Sequence, residues 1–407
     1  MGMNRIVAFT SLLPSAEYLK QTLARRRVEC VELIDVAVSD TTRSEHFGPL
    51  QAYAEANSKA LRYSSDDLDT TAKILEKIGP DFLFYGFEHN LITTDRLANM
   101  VCPCFANDPA TAAAREWKDK TNQHLAAHGF RVAREVAFTS NQHLDSSHFA
   151  DLPDRLILKT SRYSANHPVM SKDALMTWLN TQKRRSHPTE THFSAQELLI
   201  DFDIHGMQKS YSIDGFAIAG KHTFVSLQLW LKHVLDDQFL YCWADQLDLN
   251  DPVNAPLLKH AQEVLSVLGL NNGFFHSDFT LTPEGPVLVD LNPRIAGGGG
   301  IVDKMITASQ GLGVIDSFIN TAYGEQHPFP QQKTHVRLLA IYGLSEKEFD
   351  EVTKYQSYFD FFDSSDDVGC HFILFASIDR KTVAMDADSC FQRFVAPKLI
   401  KAKTPRY

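Results

Sequence analysis

The chain has 407 residues, of which 40 are Lys or Arg and 50 are Asp or Glu, for a net charge of −10. Its length calls for two or three packed units, and 44% hydrophobic residues suffice for their cores. The acidic balance disfavours nucleic acid and anionic membranes as partners, and no apolar window reaches the roughly 18–20 residues of a bilayer span.

Met1–Lys20 has one Arg before a short apolar stretch and no small-residue cleavage site, so no signal peptide is expected. Ile6 also argues against a myristoylation signal. The six cysteines are scattered, and Cys102-Pro-Cys104 is too tight for the usual zinc or redox spacing. A cytoplasmic protein with reduced thiols is the expectation.

The first hundred residues alternate strand and helix signals. Arg5–Thr10 is an apolar run fit for a buried strand, and Ser15–Arg27 has helical spacing with cations at its end. Val31–Val38 reads as a second strand. Asp66–Ile78 is an amphipathic helix stopped by Gly79-Pro80, and Asp81–Tyr85 is a third strand. Strands separated by helices predict a parallel sheet. No glycine lies between Met3 and Phe47, so a GxGxxG turn cannot follow the first strand, and NAD or FAD there is excluded. Glu88, after the third strand, is a candidate substrate contact.

Ala110–His128 is rich in helix formers and predicts one helix ended by Gly129. Leu156–Lys159 is strand-like. Asn180–Phe193 reads as a polar, solvated loop with a basic run at Lys183–Arg185. From Ala195 to Tyr241 the pattern is antiparallel, and Pro256–Leu268 is helical. Gly215…Gly220-Lys221-His222 falls one residue short of the GxxxxGK[ST] phosphate loop. His222 takes the hydroxyl position and a strand pattern follows, so a hairpin turn at Gly220 is expected instead. HExxH and GxSxG are absent.

Phe274–Asn292 carries the chemistry. Pro283-Glu284-Gly285 suits a three-residue hairpin loop with Gly in the left-handed position, pairing Thr282 with Pro286. Stepping back by twos sets Thr280 against Leu288 and Asp278 against Asp290. Cross-strand Cβ atoms are about 4.5–5.5 Å apart. His276 and Asn292 share that face, while Phe275, Phe279, Leu281, Val287, Val289 and Leu291 form the apolar face. Two facing aspartates repel, so either one carboxyl is shifted up or a divalent cation sits between them. Carboxylate and amide oxygens suit Mg²⁺ or Mn²⁺. A two-residue loop at Glu284-Gly285 would instead turn the aspartates to opposite faces.

Asp278-x11-Asp290-x-Asn292-x-Arg294, followed by glycines, resembles the Mg²⁺-binding signature of the ATP-grasp superfamily. The wording FFHSDFTLTPEGPVLVDLNPRIAGGG is similar to its carboxylate–amine ligase branch, especially the L-amino-acid ligases that form dipeptides. The resemblance runs, more weakly, over about residues 5–324. It implies an α/β chain: an N-terminal parallel-sheet domain over 1–112, a small ATP-grasp subdomain over 113–189, and a large subdomain with antiparallel strands and a C-terminal extension over 190–407. It implies Asp278, Asp290 and Asn292 as metal ligands, and Arg294 as the catalytic cation for the transferring phosphoryl group and the oxyanion.

Further roles follow from the same resemblance. Arg115-Glu-Trp-Lys118 matches the RxxK that opens the nucleotide-binding part, with Lys118 or Lys120 reaching the phosphates. Lys159, ending LILK, matches the second phosphate lysine. The family's Gly-rich loop corresponds to Thr160–Lys172, which has no glycine; Ser161 and Ser164 offer hydroxyls there. Ala195–Ile200 resembles the adenine segment, with Glu197 at the hinge and the Leu198–Leu199 backbone against the purine. Asp201 or Asp203 is the ribose acid. Gly297–Gly300 and the helix after it suit the substrate carboxylate.

The expected activity is ATP-dependent ligation of an amino acid or small acid to an amine through an acyl phosphate, giving ADP and phosphate. The alternatives are phosphoryl transfer or thiol ligation on the same fold, or a nucleotide-binding regulator without turnover. Small-molecule substrates are the expected partners, and the family makes a homodimer an expectation too.

Overall fold

A computed structural model of the chain describes residues 5–10, 16–35, 59–86, 91–139, 142–161, 169–182, 192–199, 201, 207–235, 238–296, 300–325, 334–364 and 370–402. The first sheet holds β1 (Ile6–Thr10), β2 (Glu29–Asp35), β3 (Leu61–Tyr63) and β4 (Phe82–Tyr85), all parallel in the order β3-β2-β1-β4. Helices α1 (Ala16–Arg25), α2 (Leu68–Ile78) and α3 (Leu91–Val101) connect and follow its strands. The limits of α2 follow from its caps. The Asp67 side chain accepts from Thr70 N, and Gly79 turns left-handed at φ 67° so that its N–H closes on Leu75 O.

Residues 110–128 do not form one helix. A 3₁₀ turn at Pro109–Thr111 leads into α4 (Ala112–Glu116), Trp117 is extended, and α5 (Lys118–Ala127) starts afresh. Helix propensity is high throughout, but Lys118 N donates to Ser161 O at 2.9 Å, a tertiary bond that a continuous helix would deny it. Arg115 in α4 is 1% exposed. It bonds the Asp95 carboxylate at 2.6 Å and the carbonyls of Asp108, Leu268 and Gly269. It therefore clamps the N-terminal unit to the chain near residue 268.

The second sheet is antiparallel, in the order β5-β8-β6-β7, from β5 (Glu135–Thr139), β6 (Arg155–Thr160), β7 (Val169–Ser171) and β8 (His192–Glu197), with α6 (Lys172–Gln182). The loop read over Asn180–Phe193 is shorter than expected: Asn180–Gln182 end α6 and His192 opens β8, because residues 192–197 pair with both β5 and β6. That pairing also attaches β8 to this middle sheet, past the boundary at 189 read from the sequence.

The third sheet has eight antiparallel strands in the order β13-β12-β9-β10-β11-β14-β16-β15. They are β9 (Gln208–Ile218), β10 (Lys221–Leu235), β11 (Gln238–Leu247), β12 (Gly273–Thr282), β13 (Gly285–Asn292), β14 (His335–Ile341), β15 (Tyr358–Ser364) and β16 (Cys370–Ser377). Ala219 and Gly220, both at positive φ, make the tight turn from β9 to β10, so the near-phosphate-loop sequence is a hairpin. The sheet carries α7 (Ala255–Val267), α8 (Ile301–Gln310) and α9 (Val314–Ala322). Three further helices, α10 (Glu346–Val352), α11 (Arg380–Cys390) and α12 (Ala396–Ala402), accompany the last strands.

The N-terminal sheet packs on the large one through aromatic side chains. Phe84 meets Phe274 at 5.4 Å and Phe318 of α9 at 5.2 Å between ring centroids, all three buried. No described helix is long and apolar enough to cross a membrane.

Candidate active site

A cavity of about 350 Å³ lies between the middle and large sheets. Its lining includes Lys159, Glu197, Leu198 and Leu199 from one side, and Asp278, Asp290, Asn292 and Arg294 from the other. The two walls come from different sheets, so the cavity exists only in the assembled fold.

Asp278 and Asp290 are paired across the β12–β13 hairpin, as are His276 and Asn292. The route to this register differs from the expected one. Thr282 pairs with Gly285 and Leu281 with Pro286, so the loop has two residues, Pro283 and Glu284. Left there, the aspartates would miss each other by one position. A bulge between Asp278 and Phe279 skips Val289 and restores the pairing. The bulge also exchanges two side chains. Leu288, expected beside the aspartates, joins Phe275, Phe279 and Leu291 in the core, whereas Val289 lines the cavity.

Each aspartate has its own cationic or hydrogen-bonding neighbour. Lys118 Nζ is ion-paired with Asp290 Oδ1. Ser212 Oγ donates to Asp278, and His276 Nε2 stands 3.7 Å from Asp278 Oδ1. His276 Nδ1 lies 2.8 Å from Asp214 Oδ1. Burial disfavours the His276 cation, but Asp214 and Asp278 outweigh it and hold its pKa up at about 9. Asn292 Nδ2 lies 3.4 Å from Asp290 Oδ2.

The lysines separate clearly. Lys120 is exposed and bonds Gln123, whereas Lys118 reaches the hairpin. Lys159 is 2% exposed and donates to Val289 O at 2.7 Å. Burial pushes its ammonium down to about 8, against the favourable charge of Asp290. Arg294, 7% exposed, donates from its guanidinium to Ile295 O at 2.9 Å and reaches Asn292 Oδ1 at 3.4 Å.

Glu197 ends β8 with its carboxylate held by Arg134, through the backbone N–H at 3.1 Å and Nε at 2.8 Å. Its backbone N–H is taken by Arg134 O and that of Leu198 reaches Arg155 O at 3.4 Å. Gln208 Nε2 donates to Leu199 O at 3.3 Å. Asp201 pairs with Lys209 at 3.4 Å and is not among the cavity-lining residues. Ser161 Oγ is buried without a hydrogen-bond partner among the described residues. Ser164, Asp203, Glu88 and Gly297–Gly299 lie outside the described residues.

The cavity floor also uses residues that no motif singled out: Ser210, Trp230, Lys232, Tyr241 and Phe372. Gln208, Ser210 and Ser212 alternate along β9, as do Gln228, Trp230 and Lys232 along β10. The period-two pattern was visible, but which face would meet a cavity was not.

Among the described residues no three His, Cys, Asp or Glu side chains are grouped to hold a metal on their own. Asp278, Asp290 and Asn292 still fit Mg²⁺, which commonly takes one or two carboxylates and completes its shell with water and substrate phosphates.

The chain has the ATP-grasp fold. It superposes on the L-amino acid ligase of Bacillus licheniformis with a TM-score of 0.66 at 15% identity, over 96% of this chain and 98% of that one. It superposes equally, at 12% identity, on carboxyaminoimidazole ribonucleotide synthase of Aspergillus clavatus complexed with ATP, over 96% and 99%. The corresponding Staphylococcus aureus synthetase complexed with ADP gives a TM-score of 0.64 at 13% identity, over 96% and 98%. In sequence, 110 residues are 29% identical to dapdiamide A synthase of Enterobacter agglomerans, covering 25% of this chain and 24% of that relative. The chain thus matches about a quarter of the curated relative's length. No family model matches.

Proposed function

We propose that the protein is an ATP-dependent ligase that joins the carboxylate of an amino acid or small acid to an amine, giving ADP and phosphate. One observation carries the reading. Two facing aspartates, an amide, an arginine and Lys159 line a single cavity, and Lys118 is ion-paired with Asp290 at its edge. That set suits a triphosphate and its cation better than a structural ion-pair network, which has no need of a cavity.

Lys118 and Lys159 hold the phosphates, and the segment Glu197–Leu199 holds the adenine. Asp278, Asp290 and Asn292 would hold Mg²⁺, which when bound neutralises phosphate charge and orients the terminal phosphoryl group. A substrate carboxylate oxygen attacks the γ-phosphorus, the bond to the β-phosphate oxygen breaks, and ADP leaves. The amine then attacks the acyl carbon, and phosphate departs with the former carboxylate oxygen. Arg294, fixed by its bonds to Ile295 O and Asn292, offers its guanidinium to the charge that builds in both steps.

The test is a matrix of amino acids and small acids scored for phosphate release and product mass. Phosphate release that needs both an acid and an amine, with ADP as the nucleotide product, supports the proposal. AMP and pyrophosphate would indicate adenylation and remove the acyl phosphate. ADP or ATP with Mg²⁺ should raise the melting temperature. Equal stabilisation by GTP would overturn the adenine assignment.

A further inference from the structure

Asp214 is 1% exposed, and both of its carboxylate oxygens are used. Oδ1 lies 2.8 Å from His276 Nδ1, and Oδ2 accepts from Gln228 Nε2 at 2.9 Å. Gln228 Oε1 in turn accepts from Trp230 Nε1 at 3.1 Å. A buried hydrogen-bonded chain therefore crosses three strands, from the aspartate hairpin to the Trp230 indole. An indole N–H with a fixed buried acceptor holds its ring in one orientation.

That ring is a wall of the cavity. Trp230 meets Tyr241 edge-on at 5.3 Å between centroids, and Tyr241 meets Phe372 at 6.4 Å. Ala296, Ile301 and Val302 complete the apolar surface. Neither the phosphate lysines nor the adenine segment belongs to this surface. Trp230 stands two strands across from β12, about 10 Å at the usual strand spacing. An amino acid with its carboxylate at the hairpin would direct its side chain there. A charged side chain would be desolvated against these rings, where the Lys232 ammonium is already engaged by the Tyr241 ring at 5.2 Å from its centroid.

We propose that Trp230 determines the side-chain specificity of the acid substrate, with Gln228 and Asp214 as positioning residues, and that this acid is an amino acid with an apolar side chain. The assignment of the subsite to the acid rests on the ligase reading; the apolar subsite itself does not.

The first experiment is binding to the full chain with ADP and Mg²⁺ present. Alanine, leucine, phenylalanine, aspartate and lysine are each titrated, with melting temperature and tryptophan fluorescence as readouts. Leucine or phenylalanine should raise the melting temperature and change the fluorescence, and aspartate and lysine should do neither. The fluorescence change should vanish in Trp230→Phe. The second experiment measures phosphate release with pairs drawn from the same panel. Trp230→Ala should change the phenylalanine-to-alanine ratio of kcat/KM at least tenfold. Gln228→Leu, which leaves the indole without its acceptor, should move the same ratio through KM more than kcat.

Binding of aspartate or lysine as tightly as leucine overturns the proposal, and so does a side-chain preference that Trp230→Ala leaves unaltered. Trp230-dependent binding of apolar amino acids without phosphate release from any pair upholds the subsite and overturns the ligase reading. Phosphate release with a preference independent of Trp230 does the reverse.

Discussion

Lys159 Nζ donates to the carbonyl oxygen of Val289 at 2.7 Å, and Val289 is the residue that the β12–β13 bulge leaves without an opposite partner. The two features support each other. A bulged residue frees its carbonyl from the ladder, and a buried ammonium needs an acceptor that does not fill the cavity.

This contact leads to a pH dependence. The Lys159 proton is held less tightly in the folded protein, at about 8, than at the ordinary 10.5. The cost of burying the charge is therefore present below pH 8 and fades as pH rises from 8 towards 10.5. Phosphate binding wants the charged form, so the rise in melting temperature caused by ADP should shrink between pH 7 and pH 9. Lys159→Met should abolish most of that rise while leaving the nucleotide-free protein as stable or more so. Thermal melts at both pH values, with and without ADP, check this. A nucleotide effect indifferent to pH and to Lys159 would remove the lysine from the phosphate site.

Asp290→Asn deletes one metal-facing oxygen charge and the partner of Lys118. Turnover should fall on the order of 10²-fold or more. Two facing aspartates without other partners would repel, so replacing one would let stability fall little or even rise. The structure sets Lys118 against Asp290 and His276 near Asp278, so no such relief is expected. The pair is not fully buried, and the loss of stability should stay near about 1 kcal/mol. Melting without metal and turnover with it, on one preparation, decide the matter. A clearly destabilised mutant with near-normal turnover would sink the metal-site assignment.

Arg115→Met tests whether the arginine of the RxxK resemblance is structural. Its removal leaves the buried Asp95 carboxylate uncompensated, at a cost of about 3–5 kcal/mol. Burial already pushes the Asp95 carboxyl up despite Arg115, so Asp95→Asn should recover much of the loss in the double mutant. Chemical denaturation of the single and double mutants measures both effects. Turnover lost at unaltered stability would instead place Arg115 in the chemistry.

Gly215→Ala examines the false phosphate loop. A Cβ there would lie 2.2 Å from Thr223 O and 2.7 Å from the Phe275 ring. Overpacking of this kind costs about 1–3 kcal/mol. The melting temperature should drop while the ADP-induced rise persists. Loss of the nucleotide effect in a stable mutant would mean that this glycine serves phosphate after all.

Local chemistry determined much of the molecule. The continuous apolar runs at Ile6–Thr10 and Phe82–Tyr85, the Gly79 stop and the DFT…VDLNPR wording are all properties of short segments. They made the parallel sheet, the end of α2 and the aspartate pair legible in advance. Tertiary contacts decided the rest. Trp117 breaks a strongly helical segment because Lys118 N finds Ser161 O, more than forty residues away. The hairpin loop is shorter than its residues suggested, and the bulge that compensates for it is tied to Lys159 from another sheet. Trp230 holds its place in the cavity because Gln228, on its own strand, fixes its indole and is itself held by Asp214 on the neighbouring strand. Periodicity tells which side chains share a face, whereas a cavity depends on which distant faces meet, and that is set by packing between sheets.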